Sequence, residues 1–104
     1  MRQTYEMYRN IAGMKIMNIK QKAALVAAAH HLKPVVMLGQ KGLTAAVIAE
    51  TDQALNAHEL IKVKIVAEDK EERLALAAQL RSELNAEFLK LNVSVAIIYR
   101  KLDE

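Results

Sequence analysis

A chain of 104 residues, 53% of them hydrophobic, has the size and apolar content of one folded domain and is too apolar for a disordered segment. It has no cysteine, which excludes disulfides, thiolate metal ligands and cysteine nucleophiles, and no run approaches the ~18 apolar residues of a spanning helix. The net charge of +3 is unevenly spread, +6 over residues 1–49 and −3 over residues 50–104, so a basic face and an acidic back are expected, a pattern suited to docking on nucleic acid.

Residues 1–16 contain Tyr5, Tyr8 and Ile11 but also Gly13, show no clean period, and read as an N-terminal extension before a domain at 17–104. They lack the apolar core and cleavage site of a secretory signal, so cytoplasm is the expected compartment. From Asn18 a helix is predicted, with Asn18 as cap and Gln21 at the reciprocal position of a capping box. Ile19, Val26 and Ala29, and less neatly Leu25 and Leu32, supply its apolar side. Lys20 and Lys22 sit in the first turn, against the helix dipole, a conflict that water or a bound phosphate relieves. Pro34 ends the helix by Lys33.

Val35-Val36-Met37-Leu38 then reads as a short buried strand, and Leu43-Thr44 opens a second helix capped by Thr44. Between them stands Gly39-Gln40-Lys41-Gly42. Two glycines bracket a basic dipeptide at a strand-to-helix turn, where glycine permits positive φ and close approach of another backbone. The helix that follows points free N–H groups at the loop, and Lys41 adds a full charge, so phosphate is the fitting ligand. Two glycines alone form a weak motif, and a tight turn that needs glycine only for geometry is the blander account.

The second helix runs to about Asn56 with Val47, Ile48, Thr51 and Leu55 as its stripe. Leu60 to Val66 is a strand in which Ile61, Val63 and Ile65 alternate with Lys62 and Lys64, so that one face packs and the other meets solvent or a partner. Asp69 and Glu72 open a third helix as a capping box; Leu76, Ala77, Leu80 and Leu84 are its buried side, and Asn85 closes it in the left-handed conformation. Residues 87–101 read as two strands turning at Asn92, followed by Val93, a poor residue for positive φ. The order α-β-α-β-α-β-β defines a two-layer α/β fold on a four-stranded mixed sheet, with the second and third helices on one face.

No catalytic set stands out. His30, His31 and His58 match no metal spacing, although His30-His31 could lie beside the loop, and Glu68, Asp69, Glu71 and Glu72 suit a helix N-terminus better than paired acid–base work. Neither a nucleophile elbow nor a nucleotide fingerprint is present, so no cofactor and no enzyme activity is expected. Tyr99-Arg100-Lys101 offers RNA a stacking ring and two cations, or else is an edge-strand end with gatekeeping charges.

Taken together, Lys20-Gln21-Lys22, His31-Leu32-Lys33-Pro34-Val35-Val36, Gly39-Gln40-Lys41-Gly42-Leu43-Thr44, His58-Glu59-Leu60-Ile61-Lys62-Val63-Lys64 and Tyr99-Arg100 resemble the CRM domain family, and within it the small bacterial YhbY-like proteins. The similarity spans about Met17 to Lys101. It implies a fold similar to the C-terminal domain of a bacterial translation initiation factor. It also implies an RNA-binding, non-enzymatic role with ribosomal RNA of large-subunit precursors as partner. The residues it implies as RNA contacts are Gly39, Gln40, Lys41 and Gly42, with Lys20, Lys22, Lys33 and Arg100 beside them. No metal, cofactor or membrane contact is implied, and a monomer is expected. A protein-interaction module of the assembly machinery is the alternative. Two departures from the family pattern are Asn92-Val93, where a glycine is usual in the final hairpin, and the lack of a basic tail after Tyr99-Arg100.

Overall fold

The computed structural model describes residues 19–102. The extension at 1–16 and the Asn18 cap lie outside the described residues. The elements are α1 (Ile19–Ala28), β1 (Pro34–Leu38), α2 (Ala45–His58), β2 (Leu60–Ile65), α3 (Lys70–Leu84), β3 (Glu87–Asn92) and β4 (Val95–Tyr99), in the expected order. The strands form one mixed sheet ordered β1-β2-β4-β3, with β1 parallel to β2 and β4 antiparallel to both of its neighbours.

Two packed clusters lie on opposite faces of this sheet. On one, Val36, Leu38, Ile61, Val63, Ile65, Ala96 and Ile98 meet Leu55 of α2 and Ala77, Leu80 and Leu84 of α3. On the other, Leu60, Leu89, Ile97 and Tyr99 meet Leu25, Ala28 and Ala29 of the α1 region. The layering is therefore α/β/α, with α1 as a third layer beyond the two expected. Of the apolar residues expected on its buried side, Leu25 and Ala29 are buried and Val26 and Leu32 pack against the same cluster, and Ile19 alone departs. Gln21, Leu25, Ala28 and Ala29 are buried, at helical spacing, whereas Ile19 is 87% exposed. The buried side begins at a polar residue, Gln21, in place of the expected Ile19. The sequence cue for the extra layer is Ile97-Ile98-Tyr99, three consecutive buried residues in a strand that must be covered on both sides.

The helix ends follow their sequence signals. The Thr44 hydroxyl accepts from Val47 N at 3.2 Å, and Asp69 Oδ1 accepts from Glu72 N at 2.8 Å. Asn85 takes φ 53 and ψ 47 as the C-cap of α3. β1 departs from expectation: it is an edge strand buried on one face, with Val35 and Met37 exposed.

The final hairpin is closed by Val93-Ser94, since Asn92 pairs with Val95. Val93 stands at φ 58 and is 79% exposed, so a β-branched residue occupies left-handed backbone with no packing in return. That conformation costs an L-residue roughly 1–2 kcal/mol, partly offset because glycine is more flexible in the unfolded chain. Val93→Gly is expected to stabilise the domain by about 1 kcal/mol, a rise of roughly 4–8 °C in Tm. A thermal melt with an unchanged or lower midpoint would show that the turn is not strained.

Candidate nucleic-acid interface

The loop 39–42 is a tight turn closed by Gly42 N donating to Gly39 O at 3.0 Å. Gln40 and Lys41 form its exposed tip. The two glycines differ. Gly42 has φ +73 and so meets a backbone requirement for glycine, whereas Gly39 is not at positive φ. A Cβ built at either position meets no atom within 4 Å. Turn geometry thus accounts for Gly42 but leaves Gly39 without a folding reason.

Behind the loop lies the N-terminus of α2. Its first turn contains no acidic residue, unlike that of α3, which has Glu71 and Glu72. The Thr44 side chain satisfies Val47 N, and the amides of Ala45 and Ala46 precede any intrahelical partner. The positive end of α2 is therefore left without an anion from its own helix, next to Lys41.

The strand directions divide the sequence-predicted residues between two ends of the sheet. The loop follows Leu38, which pairs with Ile65. The β3–β4 turn lies at this end too, where Ile65 N donates to Ser94 O at 2.7 Å. Lys33, His30 and His31 precede β1 and lie toward the opposite end, so the histidines are not beside the loop. Arg100 also follows β4 at that opposite end, because Tyr99 pairs with Leu60. Its guanidinium bonds Leu84 O (2.9 Å), Asp52 O (3.3 Å), Asn56 Oδ1 (2.9 Å) and Asp52 Oδ1 (2.9 Å). Arg100 thus ties the C-terminal part of α2 to the end of α3, on the face away from α1. Tyr99 is 1% exposed beneath α1, and β4 is an interior strand, so neither reading of Tyr99-Arg100-Lys101 survives: the ring is unavailable for stacking and the strand is not an edge. Lys20 and Lys22 are exposed on α1, whose first turn likewise has no acid.

Charge is sorted by layer. The outer helices α2 and α3 carry Glu50, Asp52, Glu71, Glu72 and Glu83 against Lys70, Arg73 and Arg81, so this side is only mildly acidic. The α1 side carries Lys20, Lys22 and, from the sheet, Lys62, Lys64 and Lys90. Lys90 was not singled out from the sequence. The alternation of β2 marked Lys62 and Lys64 as outward-facing, but only strand register places Lys90 on their face.

The molecule is thus an α/β/α module with its basic residues gathered on the α1 side of the sheet and a glycine loop at the N-terminus of α2. A model of the CRS1/YhbY (CRM) domain family matches residues 17–100, and the chain belongs to that family. It is 42% identical over 91 residues to an RNA-binding protein of Haemophilus influenzae, covering 88% of this chain and 92% of the relative. It is 39% identical over 82 residues to a protein of Pseudomonas aeruginosa named as a probable RNA-binding protein, covering 79% of each. The fold matches the solution structure of a hypothetical protein of Staphylococcus aureus, described as a candidate RNA-binding protein, with a TM-score of 0.77 and 29% identity over 86% of this chain and 93% of the other. The resemblance drawn from the sequence segments is borne out. No helix among the described residues is long and apolar enough to cross a membrane.

Proposed function

We propose that this protein binds RNA without catalysing a reaction on it, as a monomer in the cytoplasm, and that its partner is ribosomal RNA in precursors of the large subunit, whose assembly it assists. The loop amides, the α2 N-terminus and Lys41 grip phosphate, and Lys20 and Lys22 extend the basic front. Lys33 adds charge at the far end of β1, whereas the donors of Arg100 are committed to α2 and α3. The observation that carries this reading is Gly39. Glycine there costs about 0.4–1 kcal/mol relative to alanine through the freedom of the unfolded chain, and nothing inside the fold requires it. Its use is explained by a second backbone that must come close. The names of the relatives support RNA as that ligand.

Titration with RNA at two salt concentrations tests the reading. Lys41→Ala should leave folding unchanged, weaken binding by about 1 kcal/mol, and reduce the log–log salt slope by about 1. Gly39→Ala should fold at least as well as the parent and still bind less tightly. If both variants bind as the parent does, the loop is only a turn.

A further inference from the structure

Strand register arranges the α1-facing side of the sheet in rows. Met37, Lys64, Val95 and Asn92 are paired in succession across the four strands. Pro34, Lys62, Ile97 and Lys90 form the next row. The third, Leu60, Tyr99 and Glu87, is largely covered, since Leu60 and Tyr99 pack under the α1 region. The first row is open: Met37 is 61% exposed, and Lys64 and Asn92 are exposed as well. Four strands span about 14 Å at the usual inter-strand spacing. The glycine loop begins two residues beyond Met37, about 7 Å further along β1.

Between this open half and α1 lies a groove of about 200 Å³. Val95 and Ile97 contribute apolar floor and Val26 an apolar wall, while Lys90, Asn92 and His30 add polar atoms. Lys62 also borders it, but two of its three donors are used on His30 O and Leu32 O, both at 3.0 Å. Lys62 therefore fixes the C-terminal side of α1 against the sheet. The first two rows contain no carboxylate, and the acid of this face, Glu87, stands in the third, so the charge complement of the first two rows is a polyanion. An RNA double helix keeps its bases paired and stacked, with a major groove too deep and narrow for side chains to read, whereas an unpaired strand can turn a base into a recess.

We propose that the open half of this sheet face holds an unpaired RNA segment, with one base seated in the groove between α1 and β4 and the adjoining phosphates on Lys64 and Lys90. The proposal rests on the RNA-binding reading above and specifies the form of RNA. Apolar side chains take the face of the base with little sequence preference, as stacking surfaces do. Asn92 has both a donor and an acceptor for its edge.

Fluorescence anisotropy with three probes tests this: a short single-stranded oligoribonucleotide, a duplex of the same length, and an abasic strand of the same length and charge. Lys64 and Lys90 are exposed, so Lys64→Ala/Lys90→Ala should keep the parent's circular dichroism and thermal midpoint. It should bind the single strand about tenfold less tightly, with a log–log salt slope smaller by about 1.4, while duplex affinity stays within about twofold. The parent should bind the abasic strand at least about fivefold less tightly than the intact one. Equal losses on single strand and duplex, no loss on either, or equal affinity for intact and abasic strands would each overturn the proposal. Lys41→Ala separates the two readings. If it binds as the parent does while the double variant loses the single strand, the loop reading fails and the groove stands. If Lys41→Ala weakens both RNA forms while the double variant changes neither, the loop stands and the groove fails.

Discussion

Gly42→Asp should fold and yet bind RNA at least about tenfold less tightly than the parent. Aspartate is among the side chains that best tolerate left-handed backbone, so the φ of +73 costs on the order of 1 kcal/mol rather than the fold. The built Cβ meets nothing within 4 Å, so no internal clash adds to that cost. The carboxylate lands beside the N-terminus of α2, where it takes the position proposed for phosphate and is itself favoured by the helix dipole. The variant thus adds repulsion and fills the site, whereas Lys41→Ala removes only one cation. The measurement is an RNA titration alongside circular dichroism. A folded Gly42→Asp protein with the parent's affinity would remove the loop from the interface.

Arg100→Ala should do the reverse, lowering stability while a folded fraction keeps its RNA affinity. The Arg100 side chain is 20% exposed, and its guanidinium holds two backbone carbonyls, an amide and a carboxylate from α2 and α3. Hydrogen bonds to charged groups contribute roughly 1.5–3 kcal/mol, but here the abandoned acceptors can regain water. A loss of about 2–3 kcal/mol follows, or roughly 10–20 °C in Tm for a domain of this size. Arg100→Lys should recover little, because one ammonium cannot span the same acceptors. An unchanged melting temperature with weakened RNA binding would restore Arg100 to the interface.

These two residues mark what the sequence could and could not reveal. Local signals were sufficient for the elements: Thr44 and Asp69 cap as read, Asn85 terminates α3, and the alternation of β2 set its two faces. Those features depend on residues a few positions apart. The resemblance to the CRM family also supplied the fold class. What could not be read depends on pairing across the chain. Arg100 reaches residues 16 and 48 positions away, and Lys90 joins Lys62 and Lys64 only through β4. Tyr99 looked available because an aromatic residue followed by two cations looks the same in sequence whether its strand is interior or at an edge. The one wrong residue on the stripe of α1, Ile19, has a local cause, since the buried position there falls to polar Gln21, one turn before Leu25.

That same stripe sets how firmly the layers hold together. α1 brings Leu25 and small alanines to its side of the sheet, whereas the other side receives Leu55, Leu80 and Leu84 from α2 and α3. A fully buried leucine contributes roughly 1.5–3 kcal/mol and an alanine much less. The molecule is therefore unevenly cooperative. Detaching α1 breaks one small cluster and the two Lys62 bonds, and leaves the sheet paired and backed by α2 and α3. Such an opening exposes Leu60, Leu89, Ile97 and Tyr99, yet keeps the larger cluster on the other face, so hydrogen exchange is expected to show α1 opening below the free energy of global unfolding. The helix that walls the groove is thus the layer the domain can release most readily without losing its fold.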